Sequence, residues 1–178
     1  MSSGPLSRLM QAFGIGDKDP LDAGLERINN RLGFRSVYTE GRPGKVASIQ
    51  VQRTSDRARS IFFAPDMDGH ADSGEVVWVW APTDGDSSTP IERAMLIVGR
   101  THSTVLGLLI SPNPSHADED YWLEIGSGEW DEAGRQCWIR LDRILEVSEQ
   151  QIRRKGILFP QRRFERVANR LRTAYHWV

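Results

Sequence analysis

Two residues in this chain could act together on an anion. Arg93 immediately precedes an apolar run at 95–98, and Ser111 closes a second, almost wholly apolar run at 104–110. A guanidinium and a hydroxyl brought to one rim of a small sheet could hold a phosphate and stabilise the extra charge of its transition state. The text around Arg93 reads strand, long polar loop, arginine, strand: residues 76–80 are β-branched and aromatic, and the stretch after them is rich in Gly, Pro, Asp and Ser. That order predicts one cation at the mouth of a β structure. The plainer reading, in which Arg93 only balances the acids around it, is equally open from spacing alone.

Other candidates are Trp78, Trp80 and His116. Trp78 and Trp80 are two apart and share a strand face. Aromatic faces stack the bases of single-stranded nucleic acid at about 1–3 kcal/mol each, although large aromatics more often fill a core. His116, in SPNPSHADED, is the histidine nearest Ser111, and an imidazole can bind substrate or serve as a base near neutral pH; a lone loop histidine can equally be a plain surface residue. The four histidines show no metal-type spacing. The stretch PDMDGHAD alternates Asp66, Asp68, His70 and Asp72 like a calcium loop, but Ala71 and Val77 stand where the sixth-position glycine and twelfth-position glutamate belong. A solvated acidic turn is expected there, with no metal and no cofactor. Cys137, the single cysteine, has no adjacent base and reads as a buried structural thiol. Gly-rich phosphate loops, GxSxG elbows and paired-cysteine zinc sites do not occur in the sequence.

The elements that must position these residues follow from pattern. Strands are expected at 60–63, 75–80, 94–98, 105–110, 121–125 and 137–147, the last with a bend. Turn signals between them suit a small antiparallel barrel or open sheet. Pro160 opens a helix in which Phe164, Val167, Ala168, Leu171, Ala174 and Tyr175 form one face and arginines most of the rest. Short helices are expected around 5–13 and 22–32, and one weak edge strand at 46–51. The expected organisation is an N-terminal extension over 1–60, made of short helices and linker, and a globular domain over 61–178: mainly β with helices, an α+β chain.

With 178 residues the chain can bury a core without staples. A single cysteine suits a reducing compartment. No run approaches the roughly 20 apolar residues of a membrane span, and the N-terminus lacks a secretory pattern, so a cytoplasmic location is expected. A net charge of −1 conceals polarity. Residues 64–134 carry fourteen acids and two bases, whereas 135–178 carry four acids and eleven bases. Such asymmetry suits either a partner-binding surface or acids scattered in solvated loops.

At these residues the chain resembles the PemK/MazF family of toxin-antitoxin ribonucleases, in its actinobacterial-type branch with an N-terminal extension. GEVVWV at 74–79 is similar to the family's opening strand, and RAMLIV, starting at Arg93, stands where the family usually has Arg-Pro and an aliphatic run. Ile110-Ser111 is similar to the Ser/Thr closing the third strand, and WIRLDRILEV at 138–147 resembles a late strand. The resemblance implies an SH3-like barrel, pairing as a homodimer, inhibition by an antitoxin, and metal-independent cleavage of single-stranded RNA by 2′-hydroxyl attack. By the same resemblance Arg93 would stabilise the phosphorane and Ser111 hold a non-bridging oxygen. A catalytically inactive member of the fold, binding protein or nucleic acid, is the alternative.

Overall fold

Strand β5 (Thr104–Ser111) is apolar on both sides because both of its faces are covered: every residue from Val105 to Ser111 is buried. In the computed structural model, which describes residues 35–39, 47–83 and 86–178, β5 lies inside a nine-stranded antiparallel sheet formed by the described residues. The other strands are β1 (Arg35–Thr39), β2 (Ala47–Arg53), β3 (Glu75–Thr83), β4 (Asp86–Arg100), β6 (Trp122–Glu124), β7 (Trp138–Arg140), β8 (Arg143–Ser148) and β9 (Arg154–Leu158). Their order is β1-β2-β8-β5-β4-β3-β9, with β6 pairing β7 and β7 pairing the end of β5. Helix α1 (Gln161–Tyr175) follows β9. The result is a small barrel-like sheet with a C-terminal helix, as the strand spacing predicts.

Alternation along each strand separates two cores. Even-numbered residues of β4 and β5 (Leu96, Val98, Leu106, Leu108) join Phe164, Val167, Ala168 and Leu171 of α1. Odd-numbered residues (Met95, Ile97, Val105, Leu109) join Val77 and Val79 of β3, Leu145 and Val147 of β8, and Ile49 of β2. Gly107 is required between the two layers. A Cβ there would meet the Met95 side chain at 2.3 Å, so the cross-strand methionine fills the space a side chain would take. α1 closes at His176, in the left-handed conformation, whose N–H bonds the Leu171 carbonyl.

Several expectations are corrected. Arg93 does not end a loop: β3 runs to Thr83 and β4 starts at Asp86, so Arg93 is internal to β4, opposite Val79. The polar composition of that stretch misled because a hairpin arm with a partner on one side only tolerates Ser, Thr and even Pro90; the β4–β5 ladder begins at Met95. β2 is not an edge, since β1 and β8 flank it. Residues 60–63 form no strand. Instead Ile61 N–H bonds the Val178 carbonyl and Val178 N–H bonds the Arg59 carbonyl, so this segment clasps the C-terminus. The sheet therefore starts upstream of residue 61, and β1 and β9 join it without having been anticipated. The helices expected at 5–13 and 22–32 lie outside the described residues.

Candidate functional site

The site is built where two ladders part. β3 stays paired with β4 down to the Thr83–Asp86 rung, whereas the β4–β5 ladder has its last rung at Met95–Leu109. β5 then ends at Ser111 and is followed by Pro112, which has no N–H to continue a ladder. Continuing the Met95–Leu109 register by two residues brings Arg93 level with Ser111. A cavity of about 340 Å³ opens at this parting, and both residues line it with Trp78, Asn113, Trp130, Asp131, Arg135 and Cys137 among others.

Arg93 and Ser111 are both largely buried, at 8 % and 5 % exposure. A charged guanidinium so placed needs compensation, and Glu92, beside it in sequence, lines the same cavity. Arg135 is committed to Asp131 through a bidentate pair with contacts of 2.6 and 3.1 Å. That hydrogen bond holds the Asp131 carboxyl below the usual range and raises Arg135. Burial pushes the Cys137 thiol up, away from the thiolate a nucleophile requires.

Behind Ser111 lies a polar chain. After β5, Asn113 caps a short 3₁₀ turn (Pro114–Asp118) by accepting from Ser115 N–H. The turn carries His116 inward, to 3 % exposure. Its Nε2 is 3.0 Å from Ser111 Oγ and its Nδ1 is 3.0 Å from Glu119 Oε1. The ring lies flat on Trp122, with centroids 3.6 Å apart and planes 12° apart. Glu119 also accepts from Tyr121, and the bonds from Tyr121 first and His116 second hold its carboxyl below the usual range, while the bond to Glu119 raises the Tyr121 phenol. Arg140 of β7 sits over Tyr121 and Trp122 and donates to Asp142 at 2.8 Å.

Of the residues singled out in the sequence, Arg93, Ser111 and Trp78 meet at the cavity. His116 reaches it through Ser111. Trp80 shares the strand face of Trp78 but is part-exposed beside the Arg153 guanidinium and lies outside the lining. Glu119, Asn113 and Trp122 escaped the sequence reading. The available signal was the i,i+3 spacing of His116 and Glu119, hidden within the acidic run 118–120.

A larger cavity of about 590 Å³, lined by His70, Glu75, Glu149 and Arg153 among others, lies elsewhere. Its acids have structural work: Glu75 accepts from Met67 N–H, and Glu149 pairs with Arg100 at 2.9 Å. Asp68 of the acidic turn accepts from His70 N–H, a local turn bond. Among the described residues no helix is long and apolar enough to cross a membrane.

A small barrel-like antiparallel sheet closed by one C-terminal helix is the fold class that the described residues define. Residues 72–175, more than half the chain, match the family model of the PemK-like, MazF-like toxin of type II toxin-antitoxin systems, and the chain belongs to that family. No curated protein matches it.

Proposed function

We propose that this protein is a toxin-type endoribonuclease that cleaves single-stranded RNA without a metal ion. The observation that carries the reading is the convergence of Arg93 and Ser111 on one cavity beside an aromatic side chain, Trp78. In the proposed reaction the ribose 2′-oxygen bonds to the adjacent phosphorus and the bond from phosphorus to the 5′-oxygen breaks. The products are a 2′,3′-cyclic phosphate and a 5′-hydroxyl. Arg93 stabilises the doubly charged phosphorane, where a preorganised cation in a low-dielectric site acts most strongly. Ser111 holds a non-bridging oxygen. Trp78 stacks a base at the cavity, part-exposed Trp80 extends the aromatic strip along β3, and His116 supports the substrate through Ser111. A cytoplasmic location, an antitoxin that covers the groove, and a homodimer complete the reading.

The test uses purified protein, freed of any bound partner by denaturation and refolding, with a single-stranded RNA in excess EDTA. Fragments ending in 5′-hydroxyls are expected, and growth arrest on expression in cells. Intact RNA after hours would transfer the chain to the non-catalytic, partner-binding class of this fold.

A further inference from the structure

The Ser111–His116–Glu119 chain does more than fill space. Because Glu119 accepts from both Tyr121 and His116, its carboxylate imposes a proton on His116 Nδ1; two bare acceptors 3.0 Å apart would repel. Stacking on Trp122 fixes the ring plane. The remaining variable is Nε2, which faces Ser111 Oγ at 3.0 Å. When Nε2 is bare it accepts the serine's only proton. When Nε2 is protonated it donates to Oγ, and Asn113 N–H already donates to the same oxygen at 3.3 Å. Both acceptor positions of the hydroxyl are then filled from inside the protein, and its proton is free to turn outward into the cavity that Ser111 lines with Arg93.

We propose that His116 and Glu119 are positioning residues that make Ser111 a hydrogen-bond donor to a phosphate oxygen only while the His116 imidazole is protonated. The inference rests on the RNA-cleavage reading and assigns a device to the same site. The charged or titratable groups around the relay are Glu119 at the end of its own turn, Tyr121 beside β6 and Arg140 of β7 with its partner Asp142, and, in the adjoining cavity, Glu92 and Arg93 of β4, Cys137 and the Asp131–Arg135 pair.

Two readouts test it, one of them independent of cleavage. Ring ¹⁵N shifts of His116 should show the Nδ1–H tautomer in the neutral form. For single-stranded RNA, kcat/KM of the wild type should fall about 10- to 100-fold as pH rises through the His116 titration, the worth of one hydrogen bond to a charged group. His116→Gln, whose amide N–H can donate at any pH, should lose this limb while keeping activity. Glu119→Gln should move the limb, because an amide can present N–H as well as oxygen to Nδ1 and no longer obliges the proton to sit there. Ser111→Ala should abolish it.

An oligonucleotide with 2′-deoxyribose at every position cannot be cleaved by 2′-hydroxyl attack, and its affinity should follow the same pattern. If RNA stays intact but the deoxy-oligonucleotide binds with a limb that His116→Gln removes, the relay stands and the cleavage reading falls. If RNA is cut with one unchanged profile in wild type, His116→Gln and Ser111→Ala, or if neutral His116 carries its proton on Nε2, the relay is overturned. Should His116→Gln fail to fold, Glu119→Gln decides, since Glu119 lies at the surface end of the chain and an unmoved limb there refutes the proposal.

Discussion

Arg93 is held inside a strand with its position fixed by the rung to Val79, and this placement gives it a rigidity that a loop arginine lacks. Rigid placement is what electrostatic stabilisation of a transition state needs, because no reorganisation is then required as charge develops. Arg93→Ala should therefore lower RNA cleavage by roughly 10²–10³-fold. Arg93→Lys should also be impaired, since an ammonium cannot reproduce the planar fork, and Ser111→Ala should lose less than Arg93→Ala because a neutral hydroxyl gives the weaker bond; initial rates with saturating RNA check all three. Arg93 and Ser111 could be picked out because each adjoins an apolar run, but Glu119 could not. A carboxylate inside DED looks solvated until the 3₁₀ turn folds His116 over it. A second residue-scale prediction concerns Glu75, buried at 2 % exposure. Burial raises its pKa, so this group supports the fold fully below the ordinary glutamate value and loses that support as pH rises through the raised one. Glu75→Gln keeps an oxygen for Met67 N–H and removes the charge. Its thermal midpoint should exceed the wild type's at pH 7, and the difference should vanish below about pH 4. A lower midpoint at pH 7 would show that the charged form is the stabilised one.

Helix α1 shows why some elements were plain in the sequence and others were not. Its apolar stripe repeats at helical spacing over fifteen residues, and Phe164, Val167, Ala168 and Leu171 are all at 0 % exposure against the sheet. Three arginines of the same helix secure it sideways: Arg163 to the Ser127 carbonyl at 2.6 Å, Arg166 to the Glu124 carbonyl at 3.3 Å and Arg172 to the Ile61 carbonyl at 3.0 Å. Part of the helix's basic face is thus spent on orphan carbonyls of the domain itself. Leu171→Ala should cost about 2–5 kcal/mol, read from the denaturant midpoint at constant m; no shift would mean an undocked helix. The central strands were equally legible because burial on both faces demands unbroken apolar runs. β9 was not, since RKGIL offers neither alternation nor β-branched density and pairs only at the margin of β3. β1 was missed, and β2 was read only as a weak edge strand at 46–51, for a related reason. Gly41, Pro43 and Gly44 break the pattern between the two, and what makes β2 an interior strand is the long-range partner β8.

At the scale of the whole chain, ion pairs tie separate parts of the described residues together. Asp72 and Glu149 meet Arg100, Asp131 meets Arg135, and Glu146 of β8 meets Arg57 at 3.1 Å. The last of these joins the segment before residue 61 to the barrel, and it is one of several such ties. β2 pairs β8 from Gln50–Glu146 to Arg53–Arg143. Ile49 is 1 % exposed in the core with Leu145 and Val147. Trp177 Nε1 donates to the Thr54 carbonyl and Thr54 N–H to the Asp142 carbonyl. A chain starting at Ile61 would keep the whole family-matched region, 72–175, and still lose two strands, leaving β8 with an open apolar edge. Burial of Ile49 alone is worth about 1.5–3 kcal/mol, a large part of a typical margin of about 5–15 kcal/mol, and an exposed β8 edge templates association. Residues 61–178 expressed alone should therefore aggregate or unfold at clearly lower denaturant than the full chain, as judged by size-exclusion elution and a urea titration. A monomeric 61–178 fragment with the full chain's urea midpoint would mean that β1 and β2 only decorate the barrel. Loss of stability would instead show that the family-matched region needs the preceding segment to close its sheet.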